Sequence, residues 1–186
     1  MSTPATRPAL KEWSAVVHAL LAGRQTVLLR KGGIHEKRFD VSADEFLLFP
    51  TVAHSHAVRV RPVHRDLLAV AAADSTETEI VVRAAAKVIA SVLVNRPDGL
   101  DELADLHIWT ADSVRADRVD FRPKHRLTAL VMQAFPLVEP IRLARIPDFA
   151  GCRSWVPLSA TAQRGAPVSD ASMLGEVAER VRRSVG

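Results

Sequence analysis

Cysteine is almost absent from this 186-residue chain, because Cys152 is its single example. One thiol excludes an intramolecular disulfide framework, and it also excludes a zinc site built from several cysteines. A leader segment with a basic start and an apolar core is missing as well. Together these absences predict a cytoplasmic protein.

Long apolar runs are missing too. The longest of them, residues 67–73 and 88–94, are far shorter than the roughly 18 residues that a membrane-spanning helix needs. We therefore expect no membrane anchor.

Tyrosine is absent, and the chain has about four arginines for every lysine, a combination typical of GC-rich coding. The sequence pI of 9.8 therefore reflects this arginine content as much as any basic patch. The net charge of +4 is a mild excess, compatible with a phosphate-bearing partner.

Apolar periodicity organises the first third of the chain. Residues at helical spacing predict an amphipathic helix over residues 8–22, ended by Gly23. A short buried strand is expected at residues 26–29. The turn Lys31-Gly32-Gly33 then ends this strand, because paired glycines permit positive φ.

The middle of the chain contains one ambiguous segment, residues 79–94. Its even positions from Ile80 to Val92 are apolar, as in a long strand, yet residues at a spacing of four also mark one stripe of a helix. Abundant valine and isoleucine favour a strand. Before this segment we expect a strand at residues 45–49, stopped by Pro50, and a helix at residues 63–73.

Shorter elements complete the prediction. They are a helix capped by Asp98, a turn beginning at Thr110, strands over residues 119–121, 127–135 and 153–158, a linker over residues 160–167 and a helix over residues 170–185. These patterns predict an α+β fold with a mixed or antiparallel, barrel-like sheet and flanking helices at the N- and C-termini. Residues 1–158 are expected to form a single domain, and residues 159–186 a linker and C-terminal helix.

The turn Arg30-Lys31-Gly32-Gly33 is the first candidate ligand-binding feature. It places two cations beside backbone amides that glycine leaves uncrowded, so it can bind an anion through amide dipoles and fixed charge. It lacks the glycine-lysine-serine/threonine ending of a phosphate-binding P-loop. The alternative interpretation is a surface turn with solvated basic residues.

Histidine and carboxylate residues lie close to this turn in the sequence. Lys31, Glu36 and His54 are the candidate catalytic residues, because a lysine, a carboxylate and an imidazole can assemble a proton-transfer site. The alternative is that His35, His54 and His56 are structural or solvent-exposed. Their spacing matches no helical His-Glu-x-x-His motif, so we predict no metal and no other cofactor.

Two further segments combine cations with aromatic rings. Residues 118–126 hold five basic side chains around Phe121, which is the raw material of nucleic-acid contacts, although a solvated hairpin explains them equally well. In the segment Gly151-Cys152-Arg153-Ser154-Trp155, the cysteine is expected to pack in the core. Arg153 is a candidate for binding an anionic ligand beside the indole.

Several of these segments together resemble a known bacterial family, catalogued as domain of unknown function 1802. They are Leu10-Lys11-Glu12-Trp13, Leu29-Arg30-Lys31-Gly32-Gly33-Ile34 with Glu36, Phe46-x-Leu48-x-Pro50-Thr51 with His54, His107-Ile108-Trp109-Thr110, Phe121-Arg122-Pro123 and Gly151-Cys152-Arg153-Ser154-Trp155. The resemblance reaches to about Leu158 and implies no function. It departs from the family pattern at Ser55, where that pattern has glutamine.

A fold-level resemblance links Gly23, Thr26 and Arg30 to the small β-barrels of the PUA and ASCH type, which implies RNA binding. Gln25 and Leu28 depart from that pattern, which has lysine and glutamate there. Fold analogy alone is a weak argument for function.

Three functional hypotheses follow. The first is a non-catalytic module for RNA or single-stranded DNA, whose ligand-binding residues are Arg30, Lys31, Gly32, Gly33, Arg122, Lys124 and Arg153. The second is an enzyme acting on a phosphate-containing substrate with Lys31, Glu36 and His54. The third is a protein-interaction subunit, for which an exposed apolar patch would be the sign. The sequence leaves the oligomeric state open.

Overall fold

The computed structural model describes residues 6–32 and 37–186. The strands are β1 (Arg7–Trp13), β2 (Val27–Lys31), β3 (Glu45–Thr51), β4 (Glu79–Leu93), β5 (Leu127–Ala144) and β6 (Trp155–Leu158). The α-helices are α1 (Ser14–Leu21), α2 (His56–Arg59), α3 (Leu67–Ala72), α4 (Ala111–Val114) and α5 (Ala171–Val185). Short 3₁₀ helices cover Pro62–His64, Pro97–Leu106 and Pro147–Phe149, and a π-helical turn covers Arg115–Asp120.

The six strands form one mixed sheet in the order β2-β5-β4-β3-β1-β6. β1 runs parallel to β3, and the other neighbouring strands are antiparallel. The predicted α+β class, mixed sheet and terminal helices are confirmed. The barrel-like expectation needs a correction, because in the described residues no backbone pairing joins β2 to β1 or β6, and the sheet is open.

β1 and α1 replace the single helix predicted for residues 8–22. β1 pairs with β3 through Ala9 to Trp13 and with β6 through Arg7 to Leu10, so its backbone groups are used on both sides. Only the residues from Ser14 onward form the predicted helix. Sheet pairing on two sides outweighed the local pattern before it.

β4 is a strand, as the content of valine and isoleucine predicted. It pairs with β5 over almost its whole length, with irregularities after Val82 and Val88. The helical stripe was misleading because a spacing of four is also a multiple of the strand period of two, so the same spacing fits a strand.

Prolines are tolerated inside two strands where backbone pairing is locally relaxed. Pro50 lies within β3 rather than ending it, because β4 pairs with β3 only from Glu45 to Leu47. β5 continues through Pro136 and Pro140 because its register with β4 shifts between these residues.

The strand predicted for residues 119–121 is absent, since residues 115–120 form the π-helical turn and Phe121 follows it. Thr110 caps α4 by accepting a hydrogen bond from Ser113 N, as the sequence indicated. π-Helical turns are rare, and many occur at functional sites.

Side chains alternate between two cores on opposite faces of the sheet. Leu10, Phe46 and Leu48 face the larger core, which α1, α3 and α5 cover. Ala9 and Leu47 face the smaller one. No helix of the described residues is long and apolar enough to cross a membrane.

The predicted C-terminal helix is confirmed as α5, with Asp170 as its cap. Leu174, Ala178 and Val181 of α5 are buried in the larger core. A Cβ placed on Gly99 would lie 2.0 Å from Ser184 O, so glycine is needed where α5 meets the Pro97–Leu106 helix. The division of the chain at residue 158 stays a prediction.

Candidate functional site

Lys31 ends β2, and its ammonium group is held by backbone carbonyls at the end of the π-helical turn and just after it. Lys31 Nζ donates to Val119 O at 3.2 Å, to Arg122 O at 3.0 Å, and to Phe121 O. Burial lowers the pKa of Lys31, and nearby Arg118 lowers it further. The ammonium group therefore fixes the backbone of the segment that follows the π-helical turn.

Arg30, the preceding residue, points toward β1. Its Nη1 donates to Glu12 Oε2 and to Lys11 O, both at 3.1 Å. Glu12 is only 4% exposed, and its other oxygen accepts a hydrogen bond from Trp13 N. The Arg30 guanidinium also lies 5.0 Å from the centre of the Phe39 ring. Arg30 and Lys31, adjacent in sequence, thus make separate internal contacts.

Two chain segments that carry basic side chains meet beside the Arg122 turn. Arg126 N donates to Lys37 O, and Arg38 pairs with Arg126 in a short parallel bridge. This pairing brings residues 37 and 38 next to residues 122–126. We call the resulting five-residue patch the basic surface: Lys37, Arg38, Arg122, Lys124 and Arg126.

The cations of the basic surface differ from many others in their pairing. Within residues 6–32 and 37–186, none of the five side chains is in an ion pair. Arg126 Nη2 donates to the neutral Asn95 Oδ1 at 2.7 Å. Arginines paired with carboxylates elsewhere on the surface include Arg24, Arg142, Arg164, Arg180 and Arg182.

Phe121 supplies an aromatic ring at the edge of the basic surface. Its side chain is 55% exposed, and the Arg122 guanidinium lies 5.0 Å from the ring centre. Arg122 has a positive φ of 49°, a conformation that the three hydrogen bonds of Lys31 to this segment help to hold. An exposed ring beside cations can stack on a nucleobase.

A second charged cluster is formed by Asp117 of the π-helical turn and Arg59 of α2. Arg59 Nε donates to Asp117 Oδ2 at 2.6 Å, and its guanidinium lies 5.8 Å from the Trp13 ring centre. The Trp13 ring stacks on His56 at 3.6 Å and meets Trp109 edge-on at 4.6 Å. This aromatic packing fixes the position of Arg59.

Arg118 on the π-helical turn is the second guanidinium of this cluster. Its Nε is buried and has no hydrogen-bond partner among the described residues. Burial is the largest influence on its pKa and lowers it; Glu12 opposes this effect and Arg30 adds to it. Arg118 borders a small depression, open on one side, that is also lined by Trp13, Arg59, Trp109, Ser113, Val114 and Asp117. We call it the Arg118 depression.

Arg153 and Cys152 are exposed, although the cysteine was expected to pack in the core. Gly151 in the left-handed region, with φ of 92°, precedes them and holds this turn at the surface. Lys11 Nζ donates to Gly151 O at 3.0 Å and to Phe149 O at 2.5 Å. Arg153 therefore lies near Lys11, and its contact with a ligand stays a prediction.

The remaining candidates do not converge on Lys31 in the described part of the chain. Gly33 and Glu36 lie outside the described residues, and Gly32 is buried. His54 is exposed beside α3, in a shallow apolar groove with Val52, Leu68 and Ala71. Lys31 contacts residues 119–122 instead. Among the described residues, no group of three or more His, Cys, Asp and Glu side chains is arranged to hold a metal ion.

A family model described as "Domain of unknown function (DUF1802)" matches residues 9–180. The chain belongs to this family. The match includes β1 from Ala9 onward, the other five strands and most of α5. No curated protein sequence matches the chain.

This DUF1802 chain is also similar to crystal structures of ASCH from Zymomonas mobilis. A serine-to-alanine mutant of that protein has 16% sequence identity and a TM-score of 0.43, and the match covers 75% of this chain and 76% of that one. The unmutated protein has 16% identity and a TM-score of 0.41, with 69% and 71% covered.

Sequence reasoning missed several members of these two clusters in the DUF1802 chain. Lys37 and Arg38 join the basic surface only through tertiary pairing with residue 126, which no local pattern reports. Arg59 and Asp117 are far apart in sequence, and neither belongs to a motif. The one available signal was Glu12, a carboxylate in the segment Leu10-Lys11-Glu12-Trp13 that becomes part of a strand.

Proposed function

We propose that this protein is a non-catalytic module that binds RNA or single-stranded DNA through the basic surface. The observation that carries the proposal is the pairing contrast: five cations from two segments share one surface without carboxylate partners in the described residues, whereas many other surface arginines are paired. Phosphates are the partners that such cations neutralise.

The details of the basic surface favour a single strand over a duplex. Phe121 is exposed at the end of the patch, next to Arg122, where an unpaired base can stack on it. Arg30 and Lys31 have internal partners, so we assign them a structural role. We assign contact with the nucleic acid to the five residues of the basic surface: Lys37, Arg38, Arg122, Lys124 and Arg126.

Fluorescence anisotropy of labelled RNA and single-stranded DNA, measured against salt, tests the proposal. Each phosphate contact to a single strand contributes about 0.7 to the slope of log affinity against log salt. The triple variant Arg122→Gln, Lys124→Gln and Arg126→Gln is therefore expected to bind more weakly and to reduce the slope by about 2.

The matched control is Arg142→Gln, Arg182→Gln and Arg183→Gln, which removes the same charge from exposed positions elsewhere. We expect it to retain most of the affinity and slope. Absence of binding by the unmodified protein at low salt would overturn the proposal. Equal weakening in both triple variants would also contradict it, since net charge alone would then explain association.

A further inference from the structure

The Arg118 depression has the features of a site for a small anion. The Arg59 and Arg118 guanidinium groups and the Asp117 carboxylate line it, and the Arg30–Glu12 pair lies close enough to Arg118 to influence its pKa. Arg30 is paired with Glu12 at 3.1 Å and Arg59 with Asp117 at 2.6 Å. The Arg118 guanidinium has no carboxylate of its own among the described residues, so the cluster carries one excess positive charge.

The Arg118 guanidinium is held in place rather than left mobile, and its Nη1 donates to Asp117 O at 3.4 Å. Arg118 lies on a π-helical turn whose following carbonyls are fixed by Lys31. Its buried Nε lacks a partner within the described part of the chain. A buried unsatisfied donor is costly, and more so when it is charged. An anionic oxygen in the depression would give the Arg118 guanidinium a charged acceptor and offset part of that cost.

The size of the depression restricts the anion. The space among the lining side chains holds about one water-sized group, so it admits a single projecting oxygen while the rest of the ligand stays at the mouth. A phosphate monoester fits this requirement, because it carries about −1.5 to −2 charge and three strong acceptor oxygens. A phosphodiester has a smaller charge and is flanked by sugars on both sides.

The depression is close to the basic surface. Arg118 precedes Arg122 by four residues, a span of at most about 14 Å even for an extended chain. We infer that the Arg118 depression binds the terminal phosphate monoester of a nucleic-acid strand whose following phosphates lie on the basic surface. This inference rests on the proposed function and adds recognition of a strand end to it.

The experiment compares single-stranded RNAs of one sequence that carry a 5′-phosphate, a 3′-phosphate or hydroxyl groups at both ends. One phosphorylated end is expected to bind about tenfold more tightly than the hydroxyl strand, because it adds a hydrogen bond between charged groups. Arg118→Gln and the gentler Arg118→Lys are expected to lose this preference. Arg115→Gln, which removes the same charge from the same π-helical turn outside the depression, is expected to keep it.

Each outcome decides one point. Equal affinity of the unmodified protein for all three strands overturns end recognition and leaves the proposed function standing, whatever the variants do. Failure to bind any strand overturns the proposed function and this inference with it. Competition by a nucleoside monophosphate at the same concentration as the strand shows that the phosphate monoester comes from a free nucleotide, and it overturns the assignment to a strand end.

Discussion

At the scale of single residues, Lys31 is assigned to stability rather than to ligand contact. We expect Lys31→Met to lower the free energy of unfolding by about 1–3 kcal/mol, because the carbonyls of Val119, Phe121 and Arg122 lose a charged donor. Urea denaturation measures this change. Lys87→Met, at an exposed position of β4, is the control and is expected to stay within about 0.5 kcal/mol. If Lys31→Met leaves stability unchanged but abolishes binding of single-stranded nucleic acid, Lys31 is a ligand-binding residue and this assignment is wrong.

Two buried histidines make the fold sensitive to acid. Burial lowers the pKa of His56 and of His107 from 6.5 to about 4. Both rings accept backbone hydrogen bonds that require the neutral form: His56 Nε2 from Ala53 N, and His107 Nδ1 from Trp109 N. The unfolded chain therefore takes up protons between pH 6.5 and about 4 that the folded chain does not.

The expected result is a free energy of unfolding that falls as the pH falls through this window. Each histidine contributes a slope of about 1.4 kcal/mol per pH unit. His107→Gln is expected to reduce the slope in urea denaturation series at several pH values, whatever its effect at neutral pH. The exposed His54→Gln is the control. An identical slope in the His107 variant would contradict the assignment.

The candidate site was predictable from single residues only in part. Arg122 and Lys124 stood out because they are close in sequence, and their role in ligand binding stays a prediction. Arg30 and Lys31 stood out for the same reason, but adjacent strand residues point to opposite faces, so their side chains separate. Because side chains alternate in direction along β2, two adjacent basic residues there could not both line one ligand site.

At the scale of elements, α5 belongs to the core in spite of its place after a linker. We expect Leu174→Ala, at a fully buried position of α5, to lower the free energy of unfolding by about 2–5 kcal/mol. Met173→Ala, one residue earlier and 37% exposed, is the matched control with an expected change below about 1 kcal/mol. Equal effects would mean that α5 is an appendage, as the predicted division at residue 158 implies.

Element prediction succeeded where periodicity and pairing agreed. β2 and α5 each carry a clear local pattern and a matching partner surface. In β4 the spacing alone was ambiguous, and the valine and isoleucine content agreed with its long pairing to β5. β1 was not predicted because its apolar residues continue the spacing of α1, so the two elements resembled one helix. The strand predicted for residues 119–121 was wrong for a different reason. Val119 and Phe121 suit a strand by propensity, but hydrogen bonds from Lys31 to their carbonyls hold the backbone in another conformation.

At the scale of the whole molecule, the sheet curls until its two ends approach each other, and side chains span the gap. Arg30 of β2 reaches Glu12 of β1, Phe39 stacks with Trp155 of β6 at 6.0 Å, and Trp155 Nε1 donates to Asp40 O. The order of the strands leaves this gap open, so the Arg30–Glu12 pair replaces the backbone ladder that would close a barrel.

A double-mutant cycle tests whether this pair holds the curled sheet together. Arg30→Met leaves the buried Glu12 carboxylate without its partner and is expected to cost about 3–5 kcal/mol of unfolding free energy. Adding Glu12→Gln to Arg30→Met is expected to recover much of that loss, because no unpaired charge then remains buried. The exposed pair Arg142–Glu79, which also bridges two strands, is the control with an expected coupling of about 1 kcal/mol or less. Equal coupling energies in the two cycles would mean that the stack of Phe39 on Trp155, and not the Arg30–Glu12 pair, holds the gap. In that case Phe39→Leu is expected to loosen β2, and hydrogen exchange would show faster amide exchange along that strand.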